Sequence, residues 1–250
     1  MSAGGGMIET IELTKRFGQK TAVDRLTLSV PPGECLAFLG PNAAGKTTTM
    51  KLLAGLLRPT SGRVLIGGID LAVDPQAAKR LLGYVPDVAH LYDKLSGEEF
   101  LRFVGRLYGM DGAILGRGVE CWLDRFHLQS TRGDLIEGYS HGMRQRLALA
   151  AALLHGPRAL IIDEPLVGLD PQSARTLKQV LKEQAQAGVT IFLSTHTLSL
   201  AEELAHRIGI IDQGALVGLG SLAELQRSSG VAGPLEDVFL RLTLEGERPA

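Results

Sequence analysis

Eight consecutive residues, Gly40-Pro41-Asn42-Ala43-Ala44-Gly45-Lys46-Thr47, fit the pattern G-x-x-x-x-G-K-[ST] in full. A loop of this kind holds phosphate. Its backbone N–H groups and the N-terminus of a following helix point at the anion's oxygens. A lysine at the position of Lys46 reaches the β- and γ-phosphates, and a hydroxyl at the position of Thr47 ligates Mg²⁺. Further along, the apolar run Ala159 to Ile162 ends in two adjacent carboxylates, Asp163 and Glu164. Two acids at the end of a buried strand are costly unless a cation or a reaction uses them. A strand end that has reached solvent is the plain alternative. With a phosphate site in the same chain, Asp163 reads as a Mg²⁺ ligand and Glu164 as the base that takes a proton from water.

The elements that must position these groups are legible around them. Glu34 to Leu39 reads as a strand and Thr48 to Leu57 as a helix with Leu52, Leu53 and Leu56 on one face. The loop therefore sits between strand and helix, the context that phosphate binding needs. Before the two acids, Ser140-His141-Gly142 is a polar turn that opens a helix carrying Leu147, Ala150, Ala151 and Leu154 at i, i+3, i+4 and i+7. Gly156-Pro157 stops it. After them, Asp170-Pro171 caps a helix that ends at Gly188, and Thr190 to Ser194 is a buried strand leading to His196.

The remaining segments complete an α/β chain. Ile8 to Leu13 and Ala22 to Val30 alternate apolar and polar residues, as half-buried strands do. Arg63 to Ile66 is a short strand, Pro75 to Leu82 a short helix, and Gly83 to Val85 a strand halted by Pro86-Asp87. Between Val88 and Leu154 there is no strong strand. Ser96 and Glu99 form a capping box, and a second helical segment spans about 118–126 with Trp122. Arg207 to Asp212 and Ala215 to Gly220 make a hairpin, and Pro234 to Leu244 a closing helix. The expected fold is a phosphate-loop α/β core with a mostly parallel sheet, an N-terminal antiparallel β subdomain and an inserted α-helical subdomain. We expect a disordered leader at 1–7 and one domain over 8–244. Its core is 8–87 and 157–220, with a helical subdomain at 88–156, a C-terminal helical segment at 221–244 and a tail at 245–250.

Composition narrows the function. The chain has 250 residues, 45% of them hydrophobic, enough for a sizeable core. A net charge of −1 with no long run of one sign offers no footprint for nucleic acid. Cys35 and Cys121 stand far apart, with neither metal nor disulfide spacing, which fits a reducing compartment. No apolar run approaches the ~18 residues of a membrane span.

Taken together the motifs resemble the ATP-binding subunit of an ATP-binding-cassette (ABC) transporter, over nearly all of 8–244. The resemblance implies ATP as substrate and Mg²⁺ as cofactor, held by Thr47 and Asp163. It makes Gly40 to Thr48, including Thr48 itself, the phosphate loop, and Phe17 the aromatic that stacks on adenine. Phe17 as ordinary core is the alternative. Tyr139-Ser140-His141-Gly142-Met143 matches the family's signature, so Ser140 and Gly142 would touch γ-phosphate. Glu164 would be the catalytic acid, Gly168-Leu169-Asp170 the D-loop, and His196 the switch histidine, although a lone histidine is often structural. The chain departs from the usual pattern in Ala43 and His141-Gly142-Met143, and in Asp87, where a glutamine is common. Asp87 is expected either to reach Mg²⁺ or merely to end its strand.

The resemblance also implies partners. Hydrolysis in the family occurs between two subunits head to tail, so Ser140 would face Lys46 of a second copy or a paralogous subunit. An integral-membrane permease subunit would supply the channel and hold the chain at the cytoplasmic face of the membrane. The signature YSHGMRQRL and the ending Leu235 to Leu240 look most like the branch that exports drugs, polysaccharides or lipids. Two alternatives are a soluble ATPase of the same group acting without transport, and a phosphate-loop phosphotransferase.

Overall fold

The computed structural model of the chain describes residues 5–244. Most of the expected leader and the whole tail lie outside these residues. Met7, assigned to the leader from sequence, is only 2% exposed, and its N–H donates to Val30 O at 2.7 Å. Order therefore begins before the first strand.

Two sheets carry the fold. In the antiparallel one, β1 (Ile8–Phe17) pairs with β2 (Lys20–Val30) and with β4 (Ser61–Ile66), which in turn pairs with the short β5 (Ile69–Asp70). The second has six strands. Its parallel part runs β9 (Arg207–Asp212), β3 (Cys35–Leu39), β8 (Thr190–Ser194), β7 (Ala159–Asp163), β6 (Leu82–Val85), and β10 (Ala215–Gly220) adds antiparallel to β9. This is the mixed α/β architecture expected from the sequence.

The parallel strands are unbroken apolar runs because both faces are covered. The two-residue period sends alternate side chains into two cores. Cys35, Ala37 and Leu39 of β3 join Leu160, Ile162, Ile191 and Leu193 on one side. Leu36 and Phe38 join Ile161 and Phe192 on the other, against Met50, Leu52 and Leu53 of α1 (Lys46–Leu53). Phe38 and Phe192 meet with ring centroids 5.2 Å apart. Helix α1 is shorter than the sequence indicates, and Leu56, expected on its buried face, is 57% exposed. The chain breaks from the helix at Gly55, whose φ is +65°.

Helix α2 (Pro75–Arg80) is capped by Asp74 and leads into β6. The insert follows. Its helices are α3 (Gly97–Leu107), α4 (Gly112–Arg125) and α5 (His141–Leu154). The Ser96–Glu99 capping box is formed in both directions, at 3.2 and 2.8 Å. Helix α4 begins well before the expected 118; Gly112, Gly116 and Gly118 weaken its local signal without breaking it. Helices α6 (Pro171–Gln186), α7 (Leu198–Leu204), α8 (Leu222–Ser229) and α9 (Leu235–Leu244) complete the chain.

The insert meets the core most closely where α5 crosses β6. A Cβ at Gly83 would lie 2.5 Å from Ala152 O and 2.9 Å from Leu160 Cδ1. Gly116, inside α4, faces open space. Gly83→Ala should therefore lower stability by about 1–3 kcal/mol through overpacking. Gly116→Ala should raise it by about 0.5–1 kcal/mol through helix propensity. Urea melts of the two variants should shift their midpoints in opposite directions; equal midpoints would contradict this packing.

Candidate nucleotide site

The loop after β3 is shaped by two close approaches. A Cβ at Gly40 would come 2.4 Å from Ile211 O, and one at Gly45 2.4 Å from Ala22 O. Gly45 also has φ +112°, outside the range of L side chains. Ala43, where the family commonly has glycine, sits at φ +63°. Alanine tolerates this left-handed conformation at a cost of roughly 1–2 kcal/mol. The Lys46 side chain folds back on the loop, its Nζ donating to Gly40 O at 2.6 Å and Pro41 O at 3.1 Å. Lys46 is 9% exposed. Burial pulls its ammonium below the ordinary pKa, while Glu164 and Asp163 act in the opposite direction.

The register β7–β8 pairs Asp163 with Ser194, and β3–β8 pairs Phe38 with Ser194. Three parallel strands thus end together beside the loop. Asp163 is 1% exposed. Its Oδ1 accepts a short hydrogen bond from Ser194 Oγ, and its Oδ2 is buried without a partner among the described residues. Glu164 N–H is shared between Ser194 O at 3.1 Å and Ser194 Oγ at 3.3 Å. That anchoring holds Glu164 at φ +49°, a strained conformation for a non-glycine residue. Glu164 Oε2 lies 2.9 Å from His196 Nδ1 and accepts from His196 N–H at 3.3 Å. The first contact requires a proton on Nδ1.

Lys46, Glu164 and His196 face one cavity of about 540 Å³, within the range of small-molecule sites. Of the residues expected from sequence, Phe17, Asn42 to Thr48, Asp87, Glu164 and His196 line it. Gly40 and Pro41 line an adjoining cavity that also reaches His196. Asp163 is buried at the cavity's edge of the sheet. Phe17 is 50% exposed, so it is not a core residue; Lys15 Nζ stands 5.1 Å from its ring centroid. Asp87 is exposed on the chain after β6. Burial pushes the Tyr84 hydroxyl up to about 12, with the charges of Asp163 and then Asp87 adding to it.

Ser140 and Gly142 are not among the residues lining this cavity. Ser140 is exposed and caps α5, its Oγ accepting from Met143 N–H at 3.3 Å. Sequence reading overlooked Ser194, which anchors both carboxylate residues. The signal available was its place at the end of β8, the only hydroxyl of the run Ile191 to Ser194. Lys20, Ala22 and Val167 also line the cavity without having been singled out.

The described residues hold no cluster of three or more His, Cys, Asp or Glu suited to a metal ion. Mg²⁺ does not require one, since it is usually bound by one or two carboxylates, waters and the substrate's phosphates. The unpartnered Asp163 Oδ2 and the exposed Thr47 hydroxyl fit that donor set.

Comparison with known proteins agrees with this geometry. Residues 23–167 match the family described as ABC transporter. The linearmycin resistance ATP-binding protein LnrL of Bacillus subtilis (strain 168) is 36% identical over 241 residues, covering 96% of this chain and 76% of that one. The daunorubicin/doxorubicin resistance ATP-binding protein DrrA of Streptomyces peucetius is 39% identical over 223 residues, 89% of this chain and 68% of that one. A solved ATP-binding subunit of an ABC transporter superposes with a TM-score of 0.90 at 32% identity, covering 94% of this chain and 99% of that chain. With the phosphate loop, the paired acids and the histidine gathered at the ends of three parallel strands, the chain belongs to the ABC transporter family, as one of its ATP-binding subunits.

Proposed function

We propose that this ABC ATPase binds Mg·ATP in the cavity beside Lys46. It hydrolyses the nucleotide when a second copy, or a paralogue, closes the site, and so powers export through a separate membrane permease. The observation that carries this reading is the split of the site. Asn42 to Thr48, Glu164 and His196 share one cavity, while the signature residues Ser140 and Gly142 lie outside it. One chain holds half of each of two sites, and a head-to-tail pair completes both.

Each residue then has a role that follows from its place. The backbone from Gly40 to Thr48 cradles the phosphates. Lys46 exchanges its two carbonyl partners for β- and γ-phosphate oxygens, which the neighbouring carboxylates favour by keeping it charged. Thr47 and Asp163 Oδ2 would hold Mg²⁺, which when bound would supply positive charge against that developing on the phosphate oxygens. Glu164 orients a water against the γ-phosphorus and accepts its proton as the new P–O bond forms and the β–γ bridge breaks, giving ADP and phosphate. His196 fixes the Glu164 carboxylate. Phe17, half exposed at the rim, stacks on adenine. Asp87 is one methylene shorter than glutamine. With no metal between, a carboxylate facing phosphate is repelled, so Asp87 would join the Mg²⁺ donors only with the insert moved inward.

A groove of about 330 Å³ runs between the insert and the core, lined by Leu56, Tyr84, Pro86, Leu91, Phe100 and Tyr108 among others. On this reading it receives the permease at the cytoplasmic face of the membrane. No helix among the described residues is long and apolar enough to cross a membrane, which fits a separate channel subunit. The lean to export rests on the drug-resistance names of the relatives and on the signature itself.

The decisive experiment is Glu164→Gln, which keeps shape and removes the base. Turnover should fall on the order of 10²–10⁴-fold, ATP affinity should persist, and ATP should trap a dimer visible by light scattering. Single-turnover rates close to the parent's would remove Glu164 from the role of base. Phe17→Ala should weaken ATP binding by roughly 1–3 kcal/mol, as loss of base stacking does. Thermal stability should hardly change, since the ring is half exposed; unaltered affinity would return Phe17 to a packing role. Ser140→Arg should bind ATP as a monomer yet fail to dimerise. Ser140→Asp, which keeps the helix cap, should behave alike by repelling the partner's γ-phosphate. Normal dimers and hydrolysis in both would exclude the head-to-tail site.

A further inference from the structure

We propose that His141 is a positioning residue for hydrolysis, holding the turn that carries Glu164 through a hydrogen bond to Val167 O. The inference rests on the reading above that Glu164 acts on the attacking water.

The turn after β7 is fixed at both ends. At its start Glu164 N–H is anchored to Ser194. At its end Asp170 caps α6, its Oδ1 accepting from Ser173 N–H at 2.9 Å. Between these anchors, Val167 N–H reaches Glu164 O only at a long 3.4 Å, and Leu169 N–H reaches Leu166 O at 3.2 Å. Among the described residues, the side-chain hydrogen bond to the backbone of 165–169 comes from His141, whose Nε2 lies 3.2 Å from Val167 O. A carbonyl only accepts, so Nε2 carries the proton.

The fit is specific. His141 lies against Gly168, where a Cβ would come 2.2 Å from His141 Cδ2 and 2.8 Å from its Nε2. Gly168 also has φ +74°. Beside it, a Cβ on Gly142 would rest at 3.6 Å from both Gly168 O and Leu169 Cδ2. The start of α5 and the turn are therefore packed together, and the imidazole occupies the space that the missing Gly168 side chain leaves. Val167 lines the nucleotide cavity with Glu164. Ser194 holds the Glu164 backbone and His196 its carboxylate, while the stretch that runs on from Glu164 to the Asp170 cap is restrained by His141 from the insert. The arrangement also gives the family's usual glycine at this signature position a counterpart with chemistry of its own. When a second copy engages Ser140, the next residue transmits that engagement to the base in its own subunit.

The test compares single-turnover hydrolysis and ATP affinity in the full chain. His141→Ala should lower the hydrolysis rate roughly 10-fold, as small misplacements of a reacting group do, with ATP affinity unchanged within about twofold. His141→Gln, whose amide Nε2 is a donor at a similar reach, should restore most of the rate. His141 is exposed at the first turn of α5, where alanine is well tolerated, so folding is not at issue. Gly168→Ala should slow hydrolysis more in the parent than in the His141→Ala background. The backbone strain is common to both, whereas the clash with imidazole is present only in the first. Parent-like hydrolysis by His141→Ala, or a glutamine variant no better than alanine, would overturn the proposal. A parent protein insensitive to Glu164→Gln would instead overturn the role of Glu164 and leave the contact itself in place.

Discussion

Everything at the site depends on the common register of β3, β7 and β8. Their C-terminal ends place Phe38, Asp163 and Ser194 side by side. In a strand the side-chain period is two, so a slip of one residue would turn Asp163 from the site into the opposite core. The register is secured by what lies behind it. Ala37, Leu160, Ile162, Ile191 and Leu193 fill one core, and Phe38, Ile161 and Phe192 fill the other. Misalignment would expose or overpack both at once. The apolar runs thus do more than exclude water; they hold a buried carboxylate where burial alone would disfavour its charge. Ser194 offsets part of that cost with one hydrogen bond and leaves the second oxygen for a cation.

Strain at the site has the same source. Ala43 and Glu164 both occupy left-handed backbone conformations as non-glycine residues. Such conformations persist only where the surroundings over-determine them. For Glu164 the determinant is the double acceptance of its N–H by Ser194. For Ala43 it is the pair of glycines bracketing the loop, pressed against Ile211 O and Ala22 O. This explains why glycine is common at that position in the family and why alanine does not destroy the loop. The end glycines are fixed by backbone contact, whereas Ala43 faces outward.

Much of this was legible in the sequence because the informative residues are local. Pro171 and Gly188 bracket α6, Thr190 to Ser194 is β8 to the residue, and β9 and β10 pair as the hairpin Arg207–Asp212 and Ala215–Gly220, as read. The failures have identifiable causes. Helix α7 has seven residues and no side-chain cap bond, too little for a periodic signal. Helix α4 extends N-terminal to the expected 118–126; its glycines weaken the local signal, although Leu115, Val119 and Leu123 bury a regular face. Leu56 was assigned to a helix face that ends before it. At the site, motif residues were found by spacing. Ser194 and the His141–Val167 contact were not, because both join segments that are remote in sequence. A hydrogen bond between strand ends, or between a helix start and a turn, leaves no periodic trace.

The insert joins the core through contacts of unequal strength, and that inequality matters for a machine driven by nucleotide. At β6 the joint is tight, with Gly83 against Ala152 leaving no room for a methyl group. At the other end the joint is made by the partly exposed ion pair of Arg125 in α4 with Glu183 in α6, and by the His141 contact with Val167 O. Exposed ion pairs of this kind contribute about 0–1 kcal/mol each. Between the two joints, Phe100, Leu115, Leu123 and Leu153 of the insert belong to one apolar cluster with Ala37, Leu160 and Ile162 of the sheet. On the proposed reading both the permease groove and the signature include residues of the insert. A movement of the insert driven by a partner or by the nucleotide must keep this shared cluster packed, so it pivots near β6 and gives way first at the ion pair. The segment 86–93, which leaves β6 with Asp87, is the first covalent link from the sheet into the insert. It is therefore the stretch of chain that must bend when the insert moves.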